Sequence, residues 1–197
     1  MLIEDTLIPV EALPVAAFRA HLRMGTGFGN ETLQDDLLEA HLRAALAAIE
    51  ARTGTILLAR SFSWTVFAWR HPDAVTLPVA PIEVITAVTL VDRSGGETII
   101  PSDRWRLIAT RQTPQLSATT GALPTIPGHG HARIGFIAGF GPTWGDVPAD
   151  LAQAVMLLAA HFYEFRHSAE GRGVDIPADI AALIAPHRTM RVSMGGR

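Results

Sequence analysis

The apolar residues of this chain change their spacing twice, and that change limits the fold more than any single motif. Towards both ends they recur every three or four residues; in the middle they tend to alternate. The first spacing gathers side chains on one stripe of a helix, the second on one face of a strand. Strands segregated between helical blocks exclude a βαβ alternation. The sequence therefore predicts an α+β fold with antiparallel pairing: a small helical bundle of two N-terminal and two C-terminal helices, a β-rich insertion and an extended C-terminal tail.

The helical blocks carry their own start and stop signals. PVAAFRAHLR (14–23) opens on Pro14, which suits a first helical position, and places Ala17, Phe18 and Leu22 on one stripe. ETLQDDLLEAHLRAALAAIEAR (31–52) follows Asn30 as N-cap, puts Glu31, Asp35 and Asp36 near the positive helix end, and repeats Leu38, Leu42, Ala45, Leu46 and Ile49 at helical spacing. Gly54 is placed to stop it. A third helix runs from Pro148, capped by Asp146 or its surroundings, to about residue 167, and ADIAALIA forms a last short one between Pro177 and Pro186. Leu38, Leu42, Leu46, Val155, Leu158 and Phe162 are the expected helical core.

Between these blocks, ILLARSFSWTVFAWR (56–70) is rich in branched and aromatic residues and reads as strand. EVITAVTLVD (83–92) places Val84, Thr86, Val88 and Leu90 on one side, and the turn RSGGE joins it to TII as a hairpin. WRLIA (105–109) and ARIGFIAG (132–139) are further strands. The stretch 112–131, with three prolines and three glycines, is loop with room for a short strand near Gln115–Ser117.

Composition narrows the chemistry. With 197 residues, 48% of them hydrophobic, the chain suffices for one domain with a core. It has no cysteine, which excludes disulfides, thiolate metal sites and cysteine nucleophiles. A net charge of −3 and a pI near 6.2 supply no general basic field for nucleic acid. The first residues, MLIEDTLIPVEALP, are acidic where a secretory signal would be basic, so a cytosolic start is expected. The most apolar run, AVMLLAAHF, is too short to span a membrane. Mean hydropathy is +0.24 with 18% charged residues, a surplus of apolar surface that a partner subunit would cover.

Individual motifs have plainer roles beside the chemical ones. His161, Glu164 and His167 share a helix face, and Glu164–His167 has the spacing of di-iron ligands. A di-iron site needs two such motifs and two further glutamates. This chain has one copy, so the plain reading is the wet face of an amphipathic helix, and a small metal-binding enzyme using these three is the alternative. His129 and His131 alternate as two strand residues would, with no carboxylate nearby. GTGFGN (25–30) follows a helix, has Asn30 where a third phosphate-loop glycine would stand, and lies in a chain without lysine. Phe62, Trp64, Phe67 and Trp69 suit a core or subunit interface better than a base-stacking platform, because only Arg60 and Arg70 bracket them. The tail HRTMRVSMGGR interleaves Arg188, Arg191 and Arg197 with Met190, Val192 and Met194, a composition found at interfaces.

The order of these segments resembles the head–tail connector, or adaptor, proteins of long-tailed phages and alphaproteobacterial gene transfer agents. AAFRAHLRM and LLEAHLRAALAAIEARTGTIL are similar to that family's first two helices. LPVAPIEVITAVTLVDRSGGETIIPSDRWRL is similar to its strand block, ARIGFIAGFGPTWGDVPADLAQAVMLLAAHFYEFRH to its most recognisable run, and IPADIAALIAPHR to its closing segment. The likeness spans about residues 14–190; GTGFGN departs from it, and it does not extend to the first thirteen residues.

The resemblance implies a single connector domain over 1–197, with helices at about 14–52 and 148–185, a β-rich insertion at about 56–140 and a C-terminal arm at about 187–197. It implies a non-enzymatic protein without cofactor or metal, which forms a dodecameric ring under the capsid portal. That ring would extend the channel for double-stranded DNA, read no sequence, and link the head to a stopper or tail terminator. Arg188, Thr189, Met190, Arg191, Val192, Ser193 and Met194 are the implied portal-binding arm. The implied location is the particle neck, after assembly in the host cytoplasm, with no membrane partner.

Overall fold

The structure is a computed structural model that describes residues 1–23, 34–165 and 176–188. Its contacts group the chain into two compact units: residues 1–12 with 56–146, and residues 13–55 with those after 146.

The first unit is all β apart from short 3-10 turns. Its strands are β1 (Leu2–Glu4), β2 (Arg60–Val66), β3 (Ala74–Thr76), β4 (Ile82–Val91), β5 (Glu97–Ile99), β6 (Trp105–Ile108), β7 (Gln115–Ala118) and β8 (His131–Ala138). They form a five-stranded sheet in the order β1-β2-β8-β4-β5 and a three-stranded sheet in the order β3-β7-β6. Every pairing is antiparallel, as the segregated strand block predicts. One continuous core contains Phe62, Val88, Ile134 and Phe136 of the larger sheet and Val75 and Leu116 of the smaller.

Strand β8 is the middle of the larger sheet, and its alternation is perfect: Ala132, Ile134, Phe136 and Ala138 are buried, and the residues between them are half-buried. Phe136 stands opposite Phe62 on β2, and their rings stack 5.7 Å apart. Just past β8, Gly139 has φ 137, and a Cβ there would come 2.4 Å from Ala59 Cα, so only glycine fits.

Strand β4 corrects the sequence reading. Val88 and Leu90 are buried, but Val84 and Thr86 face out, and Ile82 and Ile85 take the inner positions. The register with β8 shifts between Ile82 and Val84 and again between Ile85 and Ala87. Each irregularity advances the chain by a residue, so the inward parity changes. Gly135 on β8 leaves the space that Thr86 uses: a Cβ on it would lie 2.7 Å from the Thr86 hydroxyl.

The β4–β5 hairpin is closed by one side chain. Asp92 Oδ1 accepts hydrogen bonds from the Ser94 amide (2.7 Å), the Ser94 hydroxyl (2.7 Å) and the Gly96 amide (2.8 Å), and Gly95 turns with φ 87. The Ser94 hydroxyl and these amides hold the Asp92 carboxyl below its usual pKa.

The second unit is helical: α1 (Val15–His21), α2 (Asp35–Thr53), α3 (Ala149–Glu164) and α4 (Ala178–Ile184). Phe18, Leu38, Leu42, Ala45, Leu46 and Ile49 are buried, as are Leu151, Val155, Leu158, Ile180 and Ile184. Phe162, expected in this core, is only half-buried, and Ala17 is exposed although Phe18 beside it is sealed. Gly54 ends α2 in the left-handed conformation (φ 70) and donates to the Glu50 carbonyl at 2.8 Å. An Arg19–Asp35 ion pair ties α1 to α2. Asn30 and Glu31, expected at the start of α2, lie outside the described residues. Asp146 does not cap α3: its carboxylate accepts from the Thr143 hydroxyl (2.7 Å) and amide (2.9 Å) within the preceding turn, and Pro148 occupies the N-cap.

Candidate assembly surfaces

The end of α3 carries the strongest metal-like pattern in the sequence, and its described residues face different partners. The His161 ring lies 4.6 Å from that of Phe165, while Glu164 is exposed. His167 lies outside the described residues. Among the described residues, no three His, Asp or Glu side chains gather to hold a metal ion. His41 on α2 meets the Tyr163 ring edge-on at 5.8 Å, an aromatic contact within the bundle.

After α4 the chain makes one 3-10 turn, Ala185–His187, and reaches Arg188, which is exposed. Thr189, Met190, Arg191, Val192, Ser193 and Met194 lie outside the described residues. The residue before Arg188 is the informative one. His187 is buried, and its Nε2 stands 2.5 Å from Asp150 Oδ2 in the first turn of α3. Burial raises the Asp150 pKa, but the hydrogen bond to His187, the Leu151 amide and the charge on His187 outweigh it and bring the carboxyl below its usual value. The pair ties the last 3-10 turn to the first turn of α3. Thirty-seven positions separate the two residues, and nothing in their local sequence links them.

In the β unit the aromatic quartet is dispersed. Phe62 is buried, Trp69 donates its indole N–H to the Pro124 carbonyl at 2.8 Å, Trp64 is half-buried, and Phe67 is 70% exposed. The four do not make one stacking platform. His129 is exposed with φ 60, and His131 lies 5.9 Å from the Phe67 ring, so the two histidines do not converge either. A cavity of 280 Å³ beside Trp64 is lined by Arg70, His71 and Thr76 with no carboxylate.

The exposed apolar side chains of this unit concentrate at its open edges. Strand β1, which borders the larger sheet, leaves Leu2 and Ile3 exposed, and Leu7 (84%) and Val10 follow. At the other border, Ile99 of β5 is 71% exposed, and Ile108 of β6 shows at the edge of the smaller sheet. Strand β1 lies within the first thirteen residues, to which the sequence assigned no element. Its single apolar pair gives too little alternation to separate an edge strand from a loop.

No family model matches the chain, and no curated protein matches it. Among the described residues, no helix is long and apolar enough to cross a membrane. Solved structures do match, over the full length. A chain in the neck of an empty GTA particle computed with C6 symmetry is 48% identical with a TM-score of 0.91, the match covering 100% of this chain and 99% of that one. A chain in the virion of a native gene transfer agent (GTA) particle is 47% identical, TM-score 0.87, covering 100% and 98%. A chain in the neck of a native GTA particle computed with C12 symmetry is 46% identical, TM-score 0.85, covering 100% and 99%.

Proposed function

The chain belongs to the head–tail connector family represented in gene transfer agent necks, and from that membership we propose that it is a structural component of a particle neck, an adaptor ring beneath the capsid portal. The observation that carries this reading is full-length identity of 46–48% to chains of gene transfer agent particles, two of them in necks. Proteins this similar over their whole length share a fold, which supports the same place in the particle for this chain. The symmetries of those necks, C6 and C12, support a ring, and twelve copies is the number proposed.

In this role the protein is not an enzyme. Its task is to hold two assemblies in register and let double-stranded DNA pass without reading it. A net charge of −3 suits a channel wall along which DNA slides, since few phosphate contacts are made and little counterion is released. The exposed apolar edges are covered by neighbouring copies. The arm from Arg188 to Met194 docks on the portal, and a stopper or tail terminator takes the far face.

The test is co-sedimentation with the purified cognate portal ring, scored by electron microscopy. A second ring stacked on the portal is expected; free protein beside bare portals would overturn the reading. Truncation after Arg188 keeps the His187–Asp150 contact and so leaves the fold intact. It is expected to abolish stacking, and a truncated chain that still stacks would remove the arm from the account.

A further inference from the structure

A closed ring of more than two copies needs two different, complementary patches on each copy, because a self-complementary patch gives only pairs. The β unit carries two such patches, one along β1 at a border of the larger sheet and one around β5, at its opposite border, and β6, at the edge of the smaller sheet. In the order β1-β2-β8-β4-β5 the outer strands are four strand spacings apart, on the order of 19 Å.

The β1 border is apolar and acidic. Residues 1–12 hold Glu4, Asp5 and Glu11 and no arginine, together with the exposed Leu2, Ile3 and Leu7. Glu4 is engaged by Arg60 at 2.8 Å, and Asp5 accepts from the Ser63 hydroxyl at 2.7 Å and forms no ion pair among the described residues. The opposite border is apolar and basic. Arg106 and Ile108 stand two residues apart on β6, both exposed, while Trp105 and Leu107 turn inward. Arg93, Arg104 and Arg111 are exposed around them, and Ile99 projects from β5. Two acids share this border, Asp103 and Glu97, and Glu97 is held by Arg133 at 2.5 Å. A short stretch, residues 100–104, joins β5 to β6, so the two edge strands follow each other closely along the chain.

We propose that the β1 border of one copy seats on the β5–β6 border of the next, apolar row on apolar row, with Asp5 and Glu11 facing Arg104 and Arg106. The proposal rests on the ring reading above and names the surfaces that close that ring. It also accounts for the exposure of Leu7 and Ile99, which burial within one chain leaves unexplained.

The chain has no cysteine, so introduced pairs report contacts cleanly. A variant carrying both Leu7→Cys and Ile99→Cys is assembled on purified portal rings and oxidised. A ladder of covalent multimers is expected from the double variant and none from either single variant. Stacked rings that give no ladder, or dimers from a single variant, would overturn this interface while leaving the ring reading intact. Absence of rings from unmodified protein and portal would overturn both. A charge swap provides the second measurement. Arg104→Glu with Arg106→Glu is expected to lose the ring, and adding Asp5→Arg with Glu11→Arg is expected to restore it. Rings from the first variant equal to those of the unmodified chain would overturn the proposed charge pairing.

Discussion

The middle and the borders of the five-stranded sheet obey different demands. On β8 every second residue is sealed in the core, and the strand has paired neighbours on both sides. On β1 and β5 all three residues of each strand are exposed, and among the described residues one flank has no partner strand. An isolated protein usually blunts such edges with charge or proline, because open apolar strands invite association. Here both are short and each carries one glutamate, Glu4 or Glu97, beside exposed apolar residues, Leu2 and Ile3 on β1 and Ile99 on β5. The difference separates two roles: the centre holds the fold together, and the borders are where the proposed ring contacts lie.

That division can be attacked from the centre outward. Phe136→Ala removes a buried ring from the stack with Phe62 and should cost about 3–5 kcal/mol in urea unfolding. A cost below about 1 kcal/mol would mean that β8 does not carry the core. Phe162→Ala, at a half-buried helical position, should cost clearly less. Gly139→Ala forces a side chain into a left-handed backbone against Ala59, and about 1–3 kcal/mol of destabilisation is expected in the same assay.

Asp150→Ala leaves the buried His187 ring without its carboxylate and should cost about 1–3 kcal/mol. Its pH dependence has a definite sign. The Asp150 pKa is lowered in the folded state, so its stabilisation is present above the ordinary carboxylate pKa and is lost as pH falls through the lowered value. Unfolding measured from neutral to acid pH should therefore show a shallower loss for Asp150→Ala than for the unmodified chain. Equal slopes would mean that the pair does not stabilise the fold. The smallest effect on stability belongs to the border: Ile99→Ser should change unfolding by no more than about 0.5 kcal/mol yet weaken ring formation.

The same contrast decides what could be read from the sequence. The α+β class, the four helices and the hairpin at Asp92 follow from periodicity and turn chemistry, which are local. β8 was legible because its alternation is unbroken. β4 was half-legible: two register shifts turned Val84 and Thr86 outward, and a bulge depends on what lies opposite, here Gly135, not on the strand's own residues. β1 was invisible because three residues earn their pairing from β2 rather than from their own pattern. Asp150 and His187 meet only after α3 and α4 pack, so no spacing rule could join them. The family resemblance came from the ordered set of segments, and the surfaces that would make the ring did not come with it, since exposure is a property of the folded chain.

The proposed role, joining a head to a tail through the neck, is tested most directly by electron microscopy of particles produced without this protein. The account predicts DNA-filled heads and separate tails, with joined particles restored when the chain is supplied. Joined heads and tails in its absence would contradict it.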